Sequence, residues 1–384
     1  MNKLTELLEI HCPNGVEYKR LGDICKVLRG KRLTTRDLIV DGDFPVYHGG
    51  IEPIGYYNDS NREANSVMII NVGASAGTVG FCDKNFWSSD GCFCFSHNES
   101  MMQKYLYYAL QTIEYSIKSK VRKAGIPTLD NKEIERIEIP FPPLEVQEEI
   151  VKILDRFVEY AAELQAELQA RQEQYEYYRN KLLTFNEIGN QRVIWMKMSE
   201  IGQICMCKRI MKNQTNSNSG IPFYKIGTFG KMADAYISQE LYEEYKSHYS
   251  YPQKGEILIS ASGTIGRTVI YDGEDAYFQD SNIVWIHNNE EKVLNKYLYY
   301  YYQIVEWYVE GGTIKRLYNT NLAKTKIAVP TLAEQERIIS ILDKFEVLVS
   351  DLVQGLPAEI AAVQEQYEYY RNKLLSFPKY KLSA

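Results

Sequence analysis

No stretch of this 384-residue chain reaches the run of about eighteen apolar residues that a membrane-spanning helix requires. The N-terminal residues likewise lack the apolar core of a signal peptide. A soluble, cytoplasmic protein with no membrane partner is expected. The seven cysteines are scattered, and the closest pairs, Cys92/Cys94 and Cys205/Cys207, have C-x-C rather than paired C-x-x-C spacing. That pattern suits buried thiols in a reducing compartment. The five histidines lie far apart without metal-ligand spacing, so no metal site is expected. The chain has no GxxxxGK(S/T) loop, no HExxH and no G-x-S-x-G elbow, which removes three common routes to catalysis. Gly73-Ala-Ser-Ala-Gly77 and Ala261-Ser-Gly263 lack the strand-to-helix context and downstream acid of a dinucleotide fold and read as tight turns. An adenine methyltransferase holds its flipped base with a (D/N/S)-P-P-(Y/F) loop. Phe141-Pro-Pro-Leu144, the one Pro-Pro present, has neither the polar first residue nor the aromatic last one, and it marks a helix entrance.

What the chain does have is a second copy of itself. Glu173–Phe185 reads EQYEYYRNKLLTF and Glu365–Phe377 reads EQYEYYRNKLLSF, 192 positions apart, differing only at Thr184/Ser376. The duplication extends outward. Pro142, Leu144, Gln147, Glu148, Ile150, Leu154, Asp155 and Phe157 recur 188 positions on as Pro330, Leu332, Gln335, Glu336, Ile338, Leu342, Asp343 and Phe345. Lys104-Tyr-Leu-Tyr-Tyr108 recurs as Lys296-Tyr-Leu-Tyr-Tyr300, and Gly77-Thr-Val-Gly80 as Gly263-Thr-Ile-Gly266. Outside these segments the copies have diverged.

The net charge of −6 argues weakly against a nucleic-acid partner, but its distribution matters more. No acid lies between Asp23 and Asp37 or between Glu114 and Asp130, windows that hold Lys31, Arg32, Lys120, Arg122 and Lys123. The second copy repeats this arrangement, with Lys208, Arg209 and Lys212 between Glu200 and Asp234, and Lys315 and Arg316 between Glu310 and Glu334. One such window reads equally well as a solvated surface. Windows at matching places in both copies favour phosphate contacts.

The helices follow from spacing. Ile150, Leu154, Phe157, Ala161, Leu164, Leu168, Arg171, Tyr175, Tyr178, Leu182 and Phe185 step by three and four, a heptad seam that calls for a partner helix. From Leu144 to Phe185 such a helix spans roughly 60 Å. The second seam runs Ile338, Leu342, Phe345, Val349, Leu352, Leu356, Ile360, Val363, Tyr367, Tyr370, Leu374 and Phe377. It is four residues longer between its Phe and Tyr members (345 to 367 against 157 to 175), a stutter at Gly355-Leu-Pro357, where a kink or short break is expected. Upstream of each seam, short β-type runs such as Val67–Val72, Glu256–Ser260 and Asn282–Ile286 precede helical stretches Met101–Lys118 and Val293–Val309.

The predicted fold is therefore α+β, with two mixed domains of sheet and helix joined by two long helices that form an antiparallel coiled coil, in a pseudo-two-fold internal repeat. The expected division is 1–143 for the first domain, 144–186 for the first long helix, 187–331 for the second domain and 332–384 for the second long helix.

Two variable domains, each closing on an IxxP-(P/T)-L-xx-Q-E-x-I segment and then on QYEYYRNKLL, resemble the specificity subunits of type I restriction-modification systems. Gly15–Asp23 (GVEYKRLGD) and Gly255–Arg267 (GEILISASGTIGR) add to the likeness, which covers nearly the whole chain. The resemblance implies a non-catalytic subunit without a cofactor of its own, whose target-recognition domains each read half of a bipartite double-stranded DNA site. It implies docking of two modification subunits that methylate adenine with S-adenosylmethionine, and further partnership with restriction (helicase-nuclease) subunits. The DNA-contact candidates are Lys31, Arg32, Lys120, Arg122 and Lys123 in the first domain. In the second they are Lys208, Arg209, Lys212, Arg267, Lys315, Arg316, Tyr318, Asn319 and Asn321. From the residues alone, a self-contained adenine methyltransferase and a coiled-coil scaffold without a DNA role stay open. The first lacks a visible catalytic loop, and the second leaves the paired basic windows unexplained.

Overall fold

The computed structural model describes residues 2–185, 193–312 and 315–379 of the chain. The chain divides into two compact units, residues 1–166 with 356–384 and residues 167–355. The division falls inside both long helices, whereas the sequence suggested blocks that follow one another. The expected boundary at 186/187 lies outside the described residues, as do the side chains of the seam positions Val349 and Leu352.

Each unit is built on the same sheets despite the divergence in sequence. In the first, Val27–Arg29, Cys92–Phe95, Ser66–Ile70 and Val79–Cys82 form an antiparallel sheet in that order. In the second, Gln203–Cys205, Ile283–His287, Ile257–Ser260 and Thr268–Ile270 do the same. Ser66–Ile70 and Ile257–Ser260 are buried along their whole length, which is why they read as continuous apolar runs. A three-stranded sheet follows the same plan in both units, with Phe44–Tyr47 between Gly55–Tyr57 and Trp87–Ser88, and Ile221–Tyr224 between Tyr236–Ile237 and Tyr277–Phe278. Tyr18–Arg20 pairs with Glu138–Pro140, and Ile194–Lys197 with Lys326–Val329.

The helix Gln103–Thr112 buries Tyr105, Leu106, Tyr108, Ala109 and Leu110 in its unit's core, and Asn295–Tyr302 buries Tyr297, Leu298, Tyr300, Tyr301 and Tyr302. The latter stops seven residues short of the expected Val309. It closes with Gln303 and Ile304 amides bonded to Tyr300 and Tyr301 carbonyls, three residues back. The β-branched Ile304, Val305 and Val309 then favour the extended chain that follows.

The long helices run Leu144–Leu183 and Leu332–Leu374. The expected break at Gly355-Leu-Pro357 is absent, since the second helix continues through Pro357. The missing proline N–H costs about 3 kcal/mol. Burial of Leu356 and Val363, each 6% exposed, counts against that cost.

The two helices meet within each unit. In the first, Phe157 stacks on Tyr370 at 5.5 Å and the Tyr160 hydroxyl donates to Glu359 Oε1 at 2.6 Å, so the segments run in opposite directions. In the second, Tyr178 stacks on Phe345 at 5.3 Å, the equivalent pair with the helices exchanged.

The repeated motifs form the joint between each domain and its helix. Gln147, fully buried, accepts the Met102 amide at 2.9 Å and donates to the carbonyls of Ser100 and Pro142. Gln335 makes the same three bonds with Leu294, Lys292 and Pro330. Lys104 and Tyr108 both engage Asp155, as Lys296 and Tyr300 engage Asp343.

The near-identical helix ends then complete the cores. Tyr367, Leu374, Leu375 and Phe377 pack into the first core, and Leu182, Leu183 and Phe185 into the second. Leu183 and Leu375 are the deeply buried members, one residue past the seam positions expected, because these ends pack on a domain rather than only on a helix.

Candidate nucleic-acid interface

The glycine-rich segments are the tight turns expected of them. Gly77 donates to Ile70 O at 2.7 Å with φ +88°, and Gly266 to Ser260 O at 3.0 Å with φ +83°. Each turn holds a basic loop. In the first unit Arg122 and Thr128 exchange backbone hydrogen bonds at 2.9 and 3.1 Å, closing a seven-residue loop. Thr128 bridges to Val72, and the Leu129 amide bonds Asn71 O at 2.8 Å. In the second unit Glu310 and Arg316 exchange the same bonds at 3.0 and 2.8 Å, Arg316 bridges to Ser262, and Leu317 bonds Ala261 O at 2.9 Å. The two loops are the same element, 188 positions apart, and neither was visible as such from charge spacing.

Lys120, Arg122 and Lys123 are exposed on and before the first loop. Lys31 and Arg32, also exposed, are connected to that loop through backbone hydrogen bonds. The Lys31 amide bonds Ser88 O at 2.9 Å, its carbonyl accepts Trp87 Nε1 at 2.7 Å, and the turn at 88–91 leads back to Asn71 through a 3.1 Å bond to Gly91 O. Thus the structure brings the five candidates of the first unit onto connected loops.

In the second unit the turn Asp280-Ser281-Asn282 is the hub. Arg209 pairs with Asp280 at 2.9 Å, the Arg316 guanidinium donates to the Ser281 carbonyl and hydroxyl at 2.8 Å, and Ala261 bonds Asn282 O at 2.7 Å. Ser281 adopts φ +51°, in the left-handed region, to allow this crossing. Sequence spacing carried no signal for it. Lys208 lies over the Tyr249 ring at 4.9 Å, and Lys212 opens a short 3₁₀ turn; both are exposed. Lys315 is exposed beside Arg316, and Tyr318, 46% exposed, caps the helix Asn319–Lys324, where Asn319 is half-buried.

Two further candidates have partners within the protein. Asn321 is buried and its amide donates to Glu310 Oε1 at 2.9 Å, so it braces the loop from inside. Arg267 donates to the Phe229 carbonyl at 2.9 Å and to Thr264 Oγ1 at 3.3 Å, tying two loops together rather than standing free. Buried Cys207, beside Lys208, has its thiol pushed up to about 12 by burial, so it is an uncharged core group. Among the described residues no group of three or more His, Cys, Asp or Glu is placed to hold a metal ion. No helix among them is long and apolar enough to cross a membrane.

The architecture is thus duplicated, with a basic loop on each copy. The family model for the type I restriction modification DNA specificity domain matches residues 13–174 and again residues 193–362. The chain belongs to the type I specificity-subunit family. It is 47% identical to a putative type I restriction enzyme specificity subunit of Haemophilus influenzae, covering 94% of this chain and 96% of that one. It is 33% identical to the EcoR124I/EcoR124II specificity subunit of Escherichia coli, covering 72% and 71%. Among solved structures, the S subunit of a type I system from M. genitalium superposes with a TM-score of 0.58 at 16% identity, covering 94% and 96%. A chain from a structure of type I system assembly and conformational transition gives 0.62 at 19%, covering 94% and 98%. Both share the fold. As a specificity subunit, the chain is the DNA-recognition component of a restriction-modification system and not itself an enzyme.

Proposed function

We propose that this specificity subunit reads a bipartite double-stranded DNA site, one half with each domain, and docks two modification subunits that methylate adenine. The observation that carries this reading is the repeat itself. The same sheets, the same glutamine joint and the same loop occur in both units, while the residues on the loops differ. Two equal frames with unequal surfaces suit two similar partners and two different half-sites. The exposed cations Lys31, Arg32, Lys120, Arg122, Lys123, Lys208, Lys212 and Lys315 serve phosphates, where position matters more than identity. Arg209 and Arg316, held by Asp280 and Ser281, have the fixed orientation that base reading needs.

The chain supplies positioning only. S-adenosylmethionine and the methyl-transfer chemistry belong to the modification subunits, and restriction subunits join the same cytoplasmic assembly. The test is the mass, by light scattering, of the complex formed on co-expression with the modification protein of the same system. Methylation of plasmid DNA is mapped from the same cells. Two modification subunits per chain and adenine methylation at a split motif are expected. A chain that does not associate with the modification protein, or that methylates DNA alone, overturns the reading.

A further inference from the structure

Between the two basic segments of the first unit lies a side chain that none of the foregoing uses. His48 follows the strand Phe44–Tyr47, whose Tyr47 carbonyl accepts the Ser89 amide at 3.0 Å and so seats the strand end against the 88–91 turn. The imidazole packs directly on Gly91, where a Cβ would come within 2.5 Å of Nδ1. That nitrogen is buried and makes no hydrogen bond, with Asp90 Oδ1 standing 3.3 Å away, while the side chain as a whole is 40% exposed. The exposure therefore falls on the rest of the side chain, which includes Nε2.

The surroundings are open backbone. Gly49 and Gly73, with φ of +71° and +88°, stand beside one another, and a Cβ on Gly50 would meet nothing within 4 Å. A floor without side chains lets a flat base edge come close. Lys31 and Arg32 border it through Ser88, and the Arg122–Thr128 loop borders it through Val72.

The second unit carries different chemistry at the same place. Tyr224 O accepts the Gln279 amide at 2.9 Å, as Tyr47 O accepts Ser89, so Lys225 stands where His48 does and Asp280 where Asp90 does. Lys225 pairs with Asp234 at 2.8 Å, and Asp280 takes Arg209 instead. Equivalent positions with unlike polar side chains are what two domains reading unlike half-sites require.

We propose that His48, oriented by Asp90, is a specificity-determining residue of the first domain and reads a base edge in the major groove. In the neutral tautomer that carries its proton on Nδ1, toward Asp90, Nε2 is an acceptor. The matching groups in the groove are the exocyclic amines of adenine and cytosine.

This inference rests on the reading that each domain contacts one half-site, and the test separates the two. The complex of the full chain with its co-expressed modification protein is challenged with plasmid libraries randomised over both half-sites, and methylated positions are sequenced. His48→Ala is expected to lose discrimination at one base pair of the first half-site by roughly ten-fold or more, with the second half-site unchanged as an internal control for folding. His48→Gln is expected to shift the preferred base at that same position. A first half-motif that survives unchanged in either variant overturns the proposal, as does relaxation spread over both half-sites. If His48→Ala abolishes methylation altogether, His48→Gln decides by whether that single position changes. A wild-type complex that yields no split motif refutes the underlying function instead.

Discussion

Gln147 and Gln335 occupy the same buried position 188 residues apart, each joining the first turn of a long helix to the residues that open a domain helix. Each satisfies one amide and two carbonyls with a side chain that is itself wholly buried, the bond to the proline carbonyl lying in the interior. Gln147→Ala is therefore expected to cost about 2–4 kcal/mol, since unsatisfied buried groups are lost on top of the bonds themselves. In a unit of this size that lowers its melting temperature by several degrees, about 2–4 °C per kcal/mol. Calorimetry of the wild type, Gln147→Ala and Gln335→Ala measures it. Melting unchanged within a degree would show that the joint contributes nothing.

Tyrosine burial fixes the direction of the alkaline response. Burial raises the Tyr107 hydroxyl to about 12, and it also raises Tyr175, Tyr301 and Tyr367 above the ordinary value of 10. The folded state holds these protons more tightly than the unfolded chain does. Their contribution to stability is fully present below pH 10 and is lost as pH rises through the folded values, for Tyr107 between about 10 and 12. Denaturation midpoints measured from pH 8 to 11 should be flat at first and then fall above 10. Phenolate absorbance should lag behind that of free tyrosine over the same range.

Much of this was legible from the repeat. Gln147 and Asp155 recur 188 positions on and the Lys104–Tyr108 motif 192, which marked the segments as a repeat, but the joint they build shows only in the bonds between them. The paired seams gave the long helices, since periodicity reports burial directly. The exchange of helix ends was not legible. Leu183 and Leu182 are adjacent and both apolar, and only packing against a domain decides which one is buried. Of the candidate interface, charge spacing marked segments that the structure places on connected loops, but it carried no sign that Asn321 and Arg267 have partners inside the protein. His48 and Ser281 gave no signal, because their roles depend on turns that bring distant segments together.

Salt dependence separates the cations by role. Lys123 is exposed on the first loop, and its replacement by alanine should weaken binding to all sequences alike and lower the slope of log affinity against log salt by about 1. Arg267→Ala should change that slope less, because two of the guanidinium's N–H groups are already held by Phe229 O and Thr264 Oγ1. It should lower the thermal stability of the second unit instead. Binding titrations of the complex at several salt concentrations, with melting curves alongside, distinguish the two. Equal slopes for Lys123→Ala and wild type would remove Lys123 from the phosphate contacts.

The last prediction concerns the helices as spacers. The second helix already carries four more residues than the first between its matched Phe and Tyr, 22 against 18 positions, while keeping its apolar seam. A four-residue insertion advances a helix by about 6 Å and leaves the buried face in register, which is why such a stutter is tolerated. Four residues added to both helices, between Phe157 and Tyr175 and between Phe345 and Tyr367, keep the Phe157–Tyr370 and Tyr178–Phe345 stacks available at either end. If the helices set the separation of the half-sites, that 6 Å corresponds to about two base pairs at 3.4 Å each. Methylation mapping of the insertion variant should return both half-motifs unaltered, with the unspecified spacer between them longer by about that amount. Both half-motifs at the original spacing would mean that something other than the helix pair sets the distance.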